Sequence, residues 1–388
     1  MEPKTVALIF GTRPEAIKMG PVYRALVQDA PRLRPTVIVT GQHRELLRQM
    51  LDVFEMPAVH NLDVMADGQT PASLTGVLVP RISDLLREVQ PDMVVVQGDT
   101  TTTMCGALAA FYNQIPVAHL EAGLRTRNKY SPFPEEINRR LTSQIVDVHL
   151  APTRRARHNL QAEGIDPLSI YVTGNTIVDA LLWVRDRAAD LRDTDYAWVG
   201  ELDGRTILTT LHRRENLGVP FTSICLALLE LANQHTGLNI VFPMHPNPKV
   251  RTAARELLGG HPRVHLCEPP DYLRFVAVMQ QADIIITDSG GIQEEAPALG
   301  IPVLVVRDTT ERPEGMEAGV TQLVGTETNR IVAAASELLA NPSAYEAMAT
   351  GANPYGDGRA AERTVEALAY ALGLSATRPT DYDWQAAP

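Results

Sequence analysis

The chain has 388 residues, 45% of them hydrophobic and 21% charged, the make-up of an ordinary globular protein long enough for two domains and a sizeable core. A net charge of −11 excludes a general nucleic-acid binder, which carries a basic balance, but leaves room for an anionic ligand held by a few local cations. Cys105, Cys225 and Cys267 stand far apart in apolar surroundings, with neither metal-ligand spacing nor a disulfide framework, so buried free thiols and a cytoplasmic location are expected.

Met1-Glu2-Pro3-Lys4 leads straight into a strand signal, so no secretory signal is expected, and no apolar run approaches the length of a membrane span. In chain order, Val6–Phe10, Thr36–Val39, Met93–Val96, Val117–His119 and Val148–Ala151 read as strands, with helical patterns between most of them. The rhythm resumes with Thr206–Thr210, Ile240–Pro243, Val264–Leu266, Ile284–Thr287 and Val303–Val306. Strands rich in Val and Ile and separated by helices predict parallel sheets covered on both faces. Their number exceeds one ordinary sheet, so the fold class is α/β with two doubly wound domains.

An internal echo supports two halves. Asp92–Asp99 leads to a helix and then Ile115-Pro116-Val117; Asp283–Gly290 leads to a helix and then Ile301-Pro302-Val303. The expected divisions are an N-terminal domain over 1–175, a C-terminal domain over 176–355, a helix over 356–374 returning to the first domain, and a loose tail over 375–388 with Pro and Asp but no periodicity.

In such sheets ligands lie beyond the C-terminal ends of the strands, so the residues standing there are the candidates. The first half offers Gly11-Thr12-Arg13-Pro14-Glu15 with Lys18 a turn later, Gly98-Asp99-Thr100, and Glu121 to Arg125. The second offers His212-Arg213-Arg214-Glu215-Asn216, then Asp288-Ser289-Gly290-Gly291, then Arg307-Asp308 and Glu311-Arg312-Pro313-Glu314. Ser289-Gly290-Gly291 turns a strand into a helix whose free N–H groups suit a phosphate, and Glu294 and Glu295 follow within reach of sugar hydroxyls. Acids in one half and cations in the other would split a ligand between its reacting and its anionic parts. Plainer roles stay open: Asp99 as a helix cap, Glu121 and Glu135 as surface carboxylates, His212 as a structural histidine, Arg13 and Arg312 as solvated ion-pair partners, Gly-Gly as a tight turn. Neither G-x-G-x-x-G nor G-x-x-x-x-G-K occurs, and His245-Pro246-Asn247-Pro248 lacks ligand spacing, so no nucleotide cofactor and no metal are expected.

Seven segments together resemble one family: GTRPEAIK from Gly11, TGQHRE from Thr40, QGDTTTT from Gln97, HLEAGLRT from His119, YSPFPEEINR from Tyr130, HRREN from His212, and TDSGGIQEEAPALGIPVLVVRDTTERPEG from Thr287. The chain resembles the bacterial non-hydrolysing UDP-N-acetylglucosamine (UDP-GlcNAc) 2-epimerases over residues 4 to 372. The resemblance implies a GT-B fold, two Rossmann-like domains with parallel sheets facing a deep cleft, as a homodimer. It also implies interconversion of UDP-GlcNAc and UDP-N-acetylmannosamine (UDP-ManNAc) for surface polysaccharides, with UDP as the group released and recaptured, and with no partner membrane or nucleic acid.

By the same resemblance Ser289, Gly290 and Gly291 hold the diphosphate, Glu295 the ribose and Phe275 the uracil, while Arg312 and His212 face phosphates or sugar. Arg13, Lys18, Asp99, Glu121 and Glu135 line the reacting sugar, the carboxylates moving a proton at C2. Pro270 departs from the family pattern in the uracil loop. A second, allosteric nucleotide site is implied at Gln42, Glu45, Gln69 and His245, with Glu45 and Gly68 as departures. The rival functions are a hydrolysing epimerase, a retaining GT-B glycosyltransferase and a non-catalytic UDP-sugar sensor.

Overall fold

Runs such as Val6–Phe10 and Ile284–Ile286 are apolar on both sides of the pleat, and both are fully buried, which a strand achieves only inside a sheet covered on two faces. The computed structural model describes residues 2–41, 44–64, 66, 68–187 and 191–386. Its strands are β1 (Lys4–Phe10), β2 (Leu33–Val39), β3 (His60–Asn61), β4 (Met93–Gln97), β5 (Val117–Leu120), β6 (Val148–Ala151) and β7 (Ile170–Val172), then β8 (Arg205–Thr210), β9 (Leu238–Pro243), β10 (Val264–Cys267), β11 (Ile284–Thr287), β12 (Val303–Val305) and β13 (Thr321–Leu323). They form a seven-stranded sheet in the order β3-β2-β1-β4-β5-β6-β7 and a six-stranded sheet in the order β10-β9-β8-β11-β12-β13. Every pairing is parallel. The chain folds as two parallel-sheet α/β domains, as expected.

One compact unit runs to Ala180 and resumes at Tyr355–Asp383; the other is Leu181–Pro354. In the first, the helices Pro71–Val89 and Thr101–Tyr112 bury Leu74, Leu78, Ile82 and Leu86 with Val94 and Val96 in one apolar cluster. In the second, the helix Val219–Gln234 does the same with Ile224, Leu228 and Leu231 against Ile284 and Ile286.

The sequence echo has a structural counterpart. Asp92 Oδ2 accepts from the Thr5 amide at 2.7 Å, and Asp283 Oδ2 accepts from the Thr206 amide at 2.7 Å. In each sheet an aspartate before the fourth strand ties down the start of the first.

Three strands escape the sequence pattern, β3, β7 and β13. All lie at sheet edges and have only two or three residues, too short for a periodic signal. The expected loose tail is also corrected. Arg378 donates to the carbonyls of Leu168 and Ile170 at 2.6 Å, Asp381 accepts from the Val172 amide at 2.8 Å, and the Tyr382 amide donates to Val172 O at 2.7 Å. The charged residues that looked solvated occupy the outer edge of β7, whose backbone groups need partners. The thiols differ a little from expectation: Cys105 and Cys225 are buried, and Cys267 is partly exposed.

The helix Ala360–Ala371 is anchored by one buried carboxylate. Asp179 accepts from the amides of Ala360 and Ala361 at 3.2 and 2.8 Å. Burial raises its carboxyl to about 6, against the two amides that favour its charge. A folded value above the unfolded one means its stabilising contribution is complete below pH 3.8 and is lost as pH rises through about 6, a difference of roughly 3 kcal/mol. Urea denaturation between pH 4 and 7 is therefore expected to show wild type losing stability relative to Asp179→Asn as pH rises; a constant gap would contradict this.

Candidate active site

In open parallel sheets the ligand crevice opens where strand order reverses. In the first sheet that point lies between β1 and β4, and in the second between β8 and β11. The strand-end residues singled out from the sequence follow these four strands and their neighbours.

In the first unit, Glu121 follows β5 with a φ of 65°, a left-handed backbone that costs a non-glycine residue roughly 1–3 kcal/mol. Its buried carboxylate takes Lys18 Nζ at 2.6 Å on both oxygens, the Gln97 amide on Oε2, and Asn175 Nδ2 at 3.1 Å on Oε1. Glu121 is thus an oriented, paired carboxylate, and its surface reading falls. Behind it, His119 Nε2 donates to Gly98 O at 2.6 Å, and burial lowers that imidazole to about 3, so it is neutral.

Asp99 is not a helix cap: Thr100 caps the helix Thr101–Tyr112, accepting from the Thr103 amide at 3.1 Å. The Asp99 side chain pairs instead with Arg139 at 2.5 Å, and Asn138 donates to its carbonyl at 2.9 Å. Both partners sit on the helix Glu135–Ile145, one turn after Glu135. Glu135 Oε2 is buried without a hydrogen-bond partner among the described residues. Its neighbour Glu136 is different: it is fully buried and accepts from the amides of Thr126 and Arg127 at 3.0 and 3.1 Å. Arg13 opens the helix Arg13–Gln28 half-buried, with no hydrogen bond or ion pair among the described residues.

The second unit holds the cations. Arg213 and Arg312 both reach Glu311 Oε1 at 3.1 Å, and Arg307 reaches Glu311 Oε2 at 2.7 Å. Burial would raise the Glu311 carboxyl, but Arg312, Arg307 and Arg213 bring it down to about 2. Arg312 Nε also donates to Glu294 at 2.6 Å, so Glu294 faces this arginine rather than a sugar. The guanidinium lies over Gly290, where an added Cβ would meet Nη1 at 2.7 Å, which explains glycine there. Ser289 precedes the helix Gly290–Glu295 without a side-chain cap. Glu295 accepts from the Tyr272 hydroxyl at 2.9 Å, and Phe275 is half-buried on the helix Tyr272–Met279, which Asp271 caps by accepting from the Arg274 amide at 2.9 Å.

Asp288, fully buried, gathers the loop after β8. It accepts from the amides of His212 and Arg213 at 3.0 Å and from Asn216 Nδ2 at 3.0 Å. His212 Nδ1 stands 3.3 Å from Asp288 and its ring stacks 6.1 Å from His245. Burial lowers the His212 imidazole despite Asp288, so the fixed positive charge here belongs to the arginines. Asp288, Arg213, Arg307, Glu311 and Glu15 had shown only as strand-end positions, Arg139 and Gln97 carried no sequence signal beyond lying in motifs, and Asn175 carried none. Of the allosteric candidates, Gln42 and the side chain of Glu45 lie outside the described residues. Gln69 donates to Val64 O at 3.1 Å in the first unit, whereas His245 belongs to the second.

Comparisons with known proteins agree along the chain. A family profile described as UDP-N-acetylglucosamine 2-epimerase matches residues 25–369. The UDP-N-acetylglucosamine 2-epimerase of Escherichia coli (strain K12) is 48% identical over 369 residues, covering 94% of this chain and 98% of that one. The UDP-GlcNAc 2-epimerase of Neisseria meningitidis, solved bound to UDP-GlcNAc, has a TM-score of 0.85 at 46% identity, covering 94% of this chain and 100% of that one. An S. aureus protein solved with UDP has a TM-score of 0.88 at 45% identity, over 98% and 100%.

The arginine cluster has its own test. Because the Glu311 carboxyl lies near 2 rather than 4.5, its contribution of roughly 3 kcal/mol is present above pH 4.5 and lost as pH falls through about 2. Glu311→Gln is expected to be less stable than wild type at pH 7 in urea, and the deficit to shrink by pH 3.5. An equal deficit at both pH values would show that the charge on Glu311 is not what stabilises the cluster.

Proposed function

The chain belongs to the UDP-N-acetylglucosamine 2-epimerase family and carries its 2-epimerase activity; from that premise we propose that it interconverts UDP-GlcNAc and UDP-ManNAc reversibly, without hydrolysis, by eliminating UDP and adding it back. The product would supply surface polysaccharide synthesis. A hydrogen at C2 of an N-acetylhexosamine has no adjacent carbonyl to acidify it. If the C1–O bond breaks first, its electron pair leaves with UDP and C1 becomes oxocarbenium-like. The C2 proton then passes to a carboxylate, and C1=C2 forms, giving 2-acetamidoglucal. Return of the UDP oxygen to C1, with a proton delivered to the other face of C2, gives the epimer.

The observation that carries this is the pair of carboxylates at the first sheet's strand ends, Asp99 and Glu121, with Lys18 on Glu121 and with Glu135 opening the helix whose Arg139 holds Asp99. A UDP-sugar transferase or a sensor has no use for several oriented acids around a hexose, whereas proton transfer on two faces of C2 needs them. The diphosphate is assigned to Arg312, Arg213 and the Ser289-Gly290-Gly291 backbone, where departing charge meets donors already in place. Glu295 and Phe275 are assigned to the ribose and uracil, His212 to a neutral hydrogen bond with phosphate or sugar, and Arg13 to the hexose side.

The decisive experiment incubates the protein with UDP-GlcNAc in D₂O and follows C2 by NMR. A UDP-ManNAc mixture with deuterium at C2 is expected; free ManNAc with accumulating UDP would make the enzyme hydrolysing, and no exchange would rule the mechanism out. Asp99→Asn and Glu121→Gln are expected to lower turnover by about 10²–10⁴-fold, the usual contribution of one acid or base, while calorimetry finds UDP bound as in wild type. Gly290→Ala, which pushes the Arg312 guanidinium aside, is expected to weaken UDP by about tenfold, close to the worth of one charge-assisted bond. Unchanged affinity would remove Arg312 from the diphosphate site.

A further inference from the structure

Glu15 is a buried acid that the mechanism leaves unused. It is 1% exposed, and among the described residues it has no cationic partner. Its two oxygens serve two different loops. Oε2 accepts from the Gly11 amide at 3.0 Å, the Thr12 amide at 2.7 Å and the Thr12 hydroxyl at 2.7 Å, all in the loop after β1. Oε1 accepts from the hydroxyls of Thr100 and Thr103 at 2.6 and 3.2 Å, after β4. A carboxylate is rigid and planar, so this one acts as a spacer of fixed length between the two loops where the strand order reverses.

We propose that Glu15 is a positioning residue for the epimerisation, holding the loop that presents Arg13 in register with the loop that presents Asp99. Thr12 directly precedes Arg13, and Thr100 directly follows Asp99, so the atoms bound to Glu15 lie one residue from each group assigned to the hexose. Asp99 has a second tether in Arg139 and Asn138, which fixes it to the helix of Glu135. Among the described residues, Glu15 is what bonds both the residue before Arg13 and the residue after Asp99. Burial works against the charge on this carboxylate, raising its pKa while the bonds from Thr100, Thr12 and the Gly11 amide oppose the rise, so an acid at this place has no ion-pair advantage. What it supplies is five acceptor contacts aimed at two loops. The second unit offers a parallel: Asp288 gathers the loop after β8 onto the end of β11 by the same device.

The proposal rests on the epimerase mechanism above, and the experiment separates the two. Wild type, Glu15→Ala, Glu15→Gln, Thr100→Val and Thr100→Asn are compared as full-length proteins for kcat and KM with UDP-GlcNAc, C2 exchange in D₂O, and UDP binding by calorimetry. Loss of the spacer is expected to lower kcat of Glu15→Ala by about 100-fold, the effect of displacing a catalytic group by an ångström, with KM and UDP affinity within about threefold of wild type. Glu15→Gln is expected to recover to within about fivefold of wild type. Its amide oxygen can serve the first loop and its NH₂ can donate to the Thr100 and Thr103 oxygens, the Thr103 hydroxyl keeping its own proton on Gln97 O. A folded Glu15→Ala with wild-type kcat would overturn the inference, and so would a folded Glu15→Gln as impaired as the alanine variant. If Glu15→Ala does not fold, Thr100→Val and Thr100→Asn decide: both lose the 2.6 Å hydroxyl arm, but the asparagine can still cap the helix, so kcat should fall about tenfold at unchanged KM in both, and an unchanged kcat in either overturns the inference. Absence of C2 exchange in wild type would remove the epimerase mechanism itself and this inference with it. Exchange in wild type with an unaffected Glu15→Ala would remove this inference alone.

Discussion

A backbone N–H that leaves the end of a buried parallel strand must find an acceptor, because an unpaired buried amide costs about 1–3 kcal/mol. At the reversal of strand order the next strand is of no help, since the loops there diverge to opposite faces of the sheet. Both units meet the constraint with a buried carboxylate. Glu15 takes the amides of Gly11 and Thr12, and Asp288 takes those of His212 and Arg213. Each acid holds the backbone of its loop and one of the loop's polar side chains, Thr12 in the first unit and Asn216 in the second.

The two halves share this plan at both ends of the sheet. At the N-terminal edge Asp92 and Asp283 hold the amides of Thr5 and Thr206 at the same 2.7 Å. At the C-terminal edge the carboxylates come from different elements, a helix for Glu15 and a strand end for Asp288, yet they do the same work. The difference that bears on a ligand lies in the loops. Those of the first carry Asp99, Glu121 and one paired lysine, and those of the second carry Arg213, Arg307 and Arg312. A common scaffold with opposite loop chemistry suits a substrate whose two ends differ in charge.

The central strands were legible in the sequence because burial on both faces leaves an unbroken apolar run, as in Ile284–Ile286. Edge strands are not bound by that rule. β13 reads Thr-Gln-Leu and β3 has two residues, and neither announces itself. The tail was misread for a related reason: Arg378 and Asp381 look solvated in sequence, but their task is to bond the open edge of β7. The strand-end location of the candidate site was legible, since charged residues stood after β1, β4, β5, β8, β11 and β12. Which carboxylate does what was not. Glu135 and Glu136 are adjacent, but a helix turns them about 100° apart. One keeps a buried oxygen without a partner and the other is consumed by the amides of Thr126 and Arg127. Sequence gives the pair, and only the helix phase separates them. Glu294, expected to meet a sugar, turns instead to Arg312 for the same reason.

A protein of net charge −11 that is to hold a diphosphate must do so by local geometry. Among the described side chains there is little surplus charge even locally. Arg213, Arg307 and Arg312 stand against Glu311, Glu294 and Glu215, three cations on three anions. Attraction by net charge is therefore not the principle of this site. The carboxylates fix three guanidinium forks in place before any ligand arrives, so that no side-chain ordering remains to oppose binding. They also compete with the ligand for the same donors, which limits affinity. That compromise matches the chemistry proposed here. A diphosphate that is detached from C1, kept within reach, returned to C1 and finally released needs donors that are well aimed more than it needs an overwhelming positive field. A cluster of unpaired arginines would hold UDP more tightly and would, by the same measure, oppose its return to the sugar.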